Sequence, residues 1–170
     1  MRRALPWILV LVLAAAAGRQ ALPGGGAGGG GGGGGGTGRV LRVVDGDTIL
    51  VALDGRSERV RYIGMDTPET VKPRTPVQCF GKRASAQNAR LVAGREVRLV
   101  ADAEARDRYG RLLAYVYRRS DGLFVNAELV RGGYATPLSI PPNMRFAQRF
   151  RALARGARLA GRGLWSACER

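Results

Sequence analysis

Between Arg39 and Gly64 the chain sets three short runs rich in β-branched residues, each closed by a tight turn, and nothing else in the sequence narrows the fold as much. The runs "RVLRVV" (Arg39–Val44) and "TILVAL" (Thr48–Leu53) flank "DGD" (Asp45–Asp47). The turn "DGRS" (Asp54–Ser57) then leads into "RVRYIG" (Arg59–Gly64). Branched side chains suit a pleated, half-buried surface, and Asp-Gly between such runs favours a hairpin. Three strands in succession are therefore expected at the start of the folded unit.

Pro68, Pro73 and Pro76 keep the next stretch as a loop. "GKRASAQNARLVAG" (Gly81–Gly94) reads as a helix, with Ala84, Ala89, Leu91 and Val92 inward and Gly94 ending it. "EVRLVA" (Glu96–Ala101) and "RLLAYVYR" (Arg111–Arg118) are strands, and "VNAELVRGG" (Val125–Gly133) is a short helix. A last helix runs from about Asn143, with Phe146, Phe150, Leu153, Ala154 and Ala157 at helical spacing. This order describes an α+β fold: a five-stranded β-barrel of the oligonucleotide-binding type with three helices.

Two segments precede the folded unit. The N-terminus carries Arg2 and Arg3, then a mostly apolar run of thirteen residues (Leu5–Ala17) ending in small residues, so residues 1–22 are read as a secretory signal peptide. A membrane span needs roughly 18 or more apolar residues. Membrane attachment therefore follows only if this segment stays uncleaved as an anchor, and the expected destination is the periplasm or the exterior. "PGGGAGGGGGGGGGTG" (Pro23–Gly38) has no side chains to bury and the highest backbone entropy to lose, so residues 23–38 are expected to be a flexible linker. The domain is then 39–170.

The formal net charge is +15, or +12 once Arg2, Arg3 and Arg19 leave with the signal. Lys72 and Lys82 are the only lysines, so the excess is carried by arginine, whose planar fork fits phosphate. A polyanion partner follows, with nucleic acid first among the candidates. Cys79 and Cys168 suggest one disulfide in an exported protein; two free thiols are the alternative, and spacing does not choose. The chain has no histidine, which excludes histidine general-base catalysis, Ser-His-Asp chemistry and most zinc sites.

The acidic residues gather in "DGDT" (Asp45–Thr48) and "DTPE" (Asp66–Glu69), each of which alone reads as an ordinary turn. If the second and third strands are neighbours, Asp47 and Asp66 converge at one end of the sheet, with Thr67 and Glu69 close by. Oxygen donors alone describe a calcium site rather than a zinc or copper site. Arg61 approaches the same rim, and Arg111 opens the strand after "DRYG" (Asp107–Gly110). A metal ion, a free carboxylate and two guanidinium groups are the set needed to hydrolyse a phosphodiester. Without histidine, Glu69 is the natural base.

The motifs "VVDGDTILV", "RVRYIGMDTPE", "CFGKRAS", "RDRYGRLLAYVY" and "VNAELVRGGYA" stand in the order, and at close to the spacing, found in thermonucleases, and the chain resembles that staphylococcal nuclease-like family over roughly Val40 to Ser166. The resemblance implies a barrel with three helices and a monomeric calcium-dependent endonuclease and exonuclease. Its substrates would be DNA and RNA, cut to leave 3′-phosphate and 5′-hydroxyl ends. It further implies that Asp47 and Asp66 are calcium carboxylates, that Thr67 lends a backbone carbonyl, and that Glu69 is the base acting through water. Arg61 and Arg111 match the phosphate-binding arginines, and Tyr109 matches a tyrosine contacting the terminal phosphate. Arg108 stands where the family has a lysine, and Asp45 matches an acidic residue near the ion but not on it. One departure is "ATPLSIPPN" (Ala135–Asn143), where the family's two pocket tyrosines are missing and the segment is one residue shorter. Stacking on an aromatic wall is worth roughly 1–3 kcal/mol per base, so the terminal nucleotide is expected to bind more weakly or with flatter base preference. The competing reading is a catalytically inactive nucleic-acid-binding barrel, against which the retained Glu69 carboxylate argues.

Overall fold

The computed structural model describes residues 35–70 and 76–168. The signal segment and most of the glycine tract lie outside those residues. Chain order begins with β1 (Gly36–Asp45), β2 (Thr48–Leu53), β3 (Arg56–Tyr62) and β4 (Gly64–Asp66). It continues with α1 (Gly81–Val92), β5 (Glu96–Val100), β6 (Leu112–Arg118) and α2 (Val125–Arg131). β7 (Thr136–Leu138), α3 (Ala147–Leu159) and α4 (Leu164–Ala167) complete it. Five strands close into a barrel in the order β1-β2-β3-β6-β5, with β3 and β6 parallel and the other pairs antiparallel. This is the expected α+β barrel, with three helices of seven residues or more and one further single-turn helix among the described residues.

Alternation along the strands decides what the barrel encloses. Val40, Ile49, Val51, Val60, Tyr62, Val97, Leu99, Leu112 and Ala114 are buried and form its interior. Their strand neighbours Arg39, Arg59 and Arg98 point to solvent, as the two-residue period requires. The core continues through Leu91 and Val92 of α1, Leu129 and Val130 of α2, and Phe150 and Ala154 of α3. Between barrel and α3, Tyr115, Phe124, Phe146 and Phe150 meet at ring separations of 4.7–6.4 Å, most of them edge-on or tilted.

Four expectations need correction. The ordered barrel begins at Gly36, not Arg39, because β1 takes Gly36, Thr37 and Gly38 into register with Leu99, Arg98 and Val97 of β5. Main-chain bonds need no side chain, and a Cβ at Gly38 would lie only 2.4 Å from the Ala52 carbonyl oxygen. The third strand does not run unbroken to Gly64: β3 stops at Tyr62, and Gly64–Asp66 forms a separate two-stranded sheet with β7. The break sits at Gly64, whose φ of +82° excludes most side chains and whose missing Cβ makes room for the Phe150 ring. In α1 the inward stripe is Gly81, Ala84, Asn88, Leu91 and Val92, so Asn88 holds the place read for Ala89. Finally, α3 starts at Ala147, because Asn143 is spent on a loop clasp. Its Oδ1 accepts from the Glu104 amide at 2.8 Å and its Nδ2 donates to the Glu104 carbonyl at 3.0 Å.

Candidate active site

The β1–β2 hairpin, the start of the loop after β4 and the N-terminal approach to β6 carry the predicted residues. At the hairpin, Asp45 pairs with Thr48, leaving Gly46 and Asp47 as the turn. A Cβ on Gly46 would lie 2.6–2.8 Å from the Thr67 side chain, so glycine here permits the loop to close on the hairpin. That approach seats Asp47. Its Oδ2 accepts from the Thr67 amide and hydroxyl, both at 3.0 Å, and its Oδ1 from the Thr48 hydroxyl at 3.0 Å. Asp47 is only 2% exposed and remains hydrogen-bonded on both oxygens.

Arg61 lies across from Thr48 in the β2–β3 register. Its guanidinium spans two carboxylates: one terminal nitrogen pairs with Asp47 Oδ1, and the other with Asp66 Oδ1 at 2.5 Å. Burial works against the charged guanidinium, but the charges and hydrogen bonds of Asp47 and Asp66 prevail and hold its pKa above the ordinary value. Asp66 itself is half open to solvent. Asp47, Asp66, Thr67 and Arg61 are thus tied together by direct bonds.

Asp45 and Glu69 form an adjoining acidic pair. Asp45 Oδ1 accepts from the Gly46 amide at 2.7 Å and the Thr70 hydroxyl at 2.6 Å. Burial pushes the Asp45 carboxyl up, and the facing Glu69 and nearby Asp47 push the same way, outweighing the bonds from Thr70 and Gly46. Glu69 is half-buried, and its Oε1 accepts from the Thr70 amide at 2.9 Å. Its backbone is clamped by Gln78: the Glu69 amide donates to Gln78 Oε1 at 2.8 Å and its carbonyl accepts from the Gln78 amide at 2.9 Å.

Arg111 directly precedes β6 and is aimed by Asp107, which accepts from its Nε and NH2 at 2.7 Å and from its amide at 3.0 Å. Burial raises the Asp107 carboxyl, but these bonds and the Tyr109 amide overcome it and hold its pKa below the usual carboxylate value. The Arg108 guanidinium donates to the Tyr109 hydroxyl at 2.7 Å, and Tyr109 is 68% exposed. Arg61, Arg108, Tyr109 and Arg111 line one groove of about 540 Å³, with Leu138 and Ile140 on its wall where the sequence lacks the tyrosines. Both aliphatic side chains are exposed, at 41% and 62%.

Cys79 and Cys168 are bonded, which resolves the choice left open by their spacing. The bridge stands beside the site: Asp66, Thr67, Gln78, Cys79 and Cys168 border one shallow depression. Among the described residues no three carboxylates stand close enough to chelate an ion by themselves. The available donors are all oxygen, and Asp47 and Asp66 already share one cation, the Arg61 guanidinium. Two carboxylates that jointly hold a cation, with oxygen donors around them, suit a hard divalent ion such as calcium.

Three supporting residues escaped the sequence reading. Gln78 fixes Glu69, Asp107 aims Arg111, and buried Asn88 accepts from the Tyr62 hydroxyl at 2.9 Å while donating to the Asp45 carbonyl at 3.1 Å. Only Asn88 left a usable signal, a polar residue on the apolar stripe of a helix.

A family model described as "Staphylococcal nuclease homologue" matches residues 59–167. The chain is 42% identical over 130 residues to a thermonuclease of Staphylococcus hyicus, covering 76% of each chain. With a thermonuclease of Staphylococcus intermedius the identity is 50% over 107 residues, covering 63% of this chain and 62% of that one. With endonuclease YncB of Bacillus subtilis (strain 168) it is 41% over 127 residues, covering 74% of this chain and 59% of that one.

Proposed function

Because the chain belongs to the staphylococcal nuclease homologue family, we propose that it is a calcium-dependent nuclease that hydrolyses phosphodiester bonds of DNA and RNA, leaving 3′-phosphate and 5′-hydroxyl ends. The observation that carries this reading is the joining of Asp47, Asp66 and Arg61 into one bonded unit, with Glu69 on the adjacent loop and Arg111 on the same groove as Arg61. A mere binding surface has no use for an acidic cluster that repels phosphate.

In this mechanism Asp47, Asp66 and the Thr67 carbonyl are the groups that would hold the ion. Bound calcium supplies Lewis-acid polarisation of the phosphate and offsets its charge. Glu69, fixed by Gln78, takes the proton of the attacking water. Arg111 keeps NH1 without a partner among the described residues while Asp107 holds its other edge, so it presents free donors to phosphate. Arg61 exchanges carboxylate contacts for phosphate contacts as charge builds in the transition state. Tyr109 and Arg108 receive the terminal phosphate. Asp45 stays bonded to Thr70 and Gly46, shaping the hairpin rather than ligating.

Export to the periplasm or exterior belongs to the same reading. Its supports are the signal-like residues 1–22 and the Cys79–Cys168 bond, a feature of oxidising compartments. The domain is taken to act as a monomer.

The test is cleavage of single-stranded DNA by the protein from Gly35 onward, in calcium and in excess chelator, with Glu69→Gln alongside. Calcium-dependent cutting, lost by a factor of roughly 10² or more in the variant, is the expected outcome. Salt-sensitive binding with no cutting in calcium would make the chain a binding barrel instead.

A further inference from the structure

We propose that Arg42 and Arg59, on the outer face of the barrel, form a second phosphate subsite that holds the substrate strand beyond the nucleotide being cut. The proposal rests on the nuclease reading above for what the strand is, and on the strand register for where it lies. Ile49, Val51 and Val60 are fully buried, so the residues alternating with them must face out. The register Arg42↔Leu50↔Arg59 therefore sets two guanidinium-bearing side chains in one outward row across β1, β2 and β3. They flank Leu50 and are separated by two strand spacings, about 9.6 Å.

The neighbouring outward row runs through Thr48, Arg61 and Leu113, which is the row of the active site. Arg59 and Arg61 are two residues apart on one strand, about 6.6 Å, a separation on the scale of one nucleotide step in an extended strand. Val60 pairs with Leu112 in the parallel β3–β6 register, so Arg59 and Arg111, each one residue earlier, stand side by side. A second cavity of about 460 Å³, lined by Arg59, Tyr109, Gly110 and Arg111, adjoins the active-site groove through Tyr109 and Arg111, which line both. The positive row is thus continuous with the place where the scissile phosphate binds.

Charge balance leaves both guanidinium groups available, a condition they share with other surface arginines such as Arg151 and Arg155, so it is their place in the row beside Arg61 and Arg111 that distinguishes them. Arg106, Arg118, Arg119, Arg131 and Arg145 each pair with a carboxylate. Arg42 and Arg59 are exposed and make no ion pair among the described residues. Two unneutralised guanidinium groups about 9.6 Å apart suit a single-stranded polyanion running on from the active-site row, and each phosphate they neutralise releases condensed counterions.

The test is binding of a fluorescently labelled 12-nucleotide single strand, measured by anisotropy in chelator at several salt concentrations between 50 and 200 mM. Parent, Arg42→Gln/Arg59→Gln and a charge-matched control, Arg151→Gln/Arg155→Gln on the exposed side of α3, are compared. Losing two single-strand phosphate contacts flattens the slope of log affinity against log salt by about 1.4. The parent's advantage over the row variant then shrinks about sevenfold across that salt range, while the control keeps the parent's slope. An unchanged slope in the row variant, or equal flattening in the control, overturns the proposal. Failure of the parent to cut DNA in calcium would remove the nuclease reading and leave this binding result standing.

Discussion

Replacing both cysteines, Cys79→Ser and Cys168→Ser, removes a crosslink between residues 89 apart in sequence. On the chain-entropy relation a loop of that length restricts the unfolded chain by about 15 cal/mol/K, or about 4.6 kcal/mol at 25 °C. With a urea slope of about 2 kcal/mol/M, the unfolding midpoint should fall by about 2.3 M. The native site should change much less, because Gln78 grips the Glu69 backbone through two hydrogen bonds of its own and does not depend on the sulfurs. The double variant should therefore be far less stable yet keep its turnover within a few-fold wherever it is folded. Equilibrium urea unfolding followed by far-UV circular dichroism, with activity assayed at low urea, separates the two effects. Trp165 in α4, three residues from Cys168, supplies a local probe by fluorescence. A midpoint shift equivalent to less than about 1 kcal/mol, with only the Trp165 signal displaced, would refute the reasoning. The bond would then merely pin a fraying end, and the loop-closure argument would not apply to this chain.

Arg61→Lys should lower kcat by roughly 10², the cost of losing one preorganised charge-stabilising donor, since a single ammonium cannot give the phosphate the two-pronged hold of a guanidinium; single-turnover kinetics would show it. Asn88→Ala leaves the buried Tyr62 hydroxyl and Asp45 carbonyl without their partner, and should cost about 2–4 kcal/mol in urea unfolding. Acid should destabilise the fold through Asp102, Asp107 and Asp121. For Asp102 and Asp107 burial pushes the carboxyl up but hydrogen bonds, chiefly from Tyr115 and Arg111 respectively, prevail; for Asp121 the Arg118 hydrogen bond dominates and takes it down to about 2. Groups depressed on folding contribute stability that is full above the unfolded value of 3.8 and is lost as pH falls through their folded values. Denaturation midpoints should accordingly drop between about pH 4 and pH 2, and Asp107→Asn should shallow that drop.

The strands of the barrel were legible because each is a local pattern. Short apolar or β-branched runs closed by turns can bury one face and little else, and the five runs read as strands supply the five barrel strands, the third only as far as Tyr62. The meeting of Asp47 and Asp66 was legible for a related reason: each lies at the end of one of two runs read as neighbouring strands, so the pairing of β2 with β3 brings both to Arg61. What sequence did not reveal depended on neighbours distant along the chain. Gly36–Gly38 carry no signal of their own and became strand only because β5 offered them a backbone ladder. Gly64 breaks the third run because Phe150, 86 positions later, fills the space a side chain would take. Asn88 is buried on α1 because Tyr62 and Asp45 lie beneath it, and Gln78 reaches Glu69 through a loop closure that no local periodicity encodes. Residue types and their spacing determined which elements form and which chemistry is available. The tertiary structure decided which side chains meet, because a hydrogen bond or a close packing contact is a property of two segments and is written in neither alone.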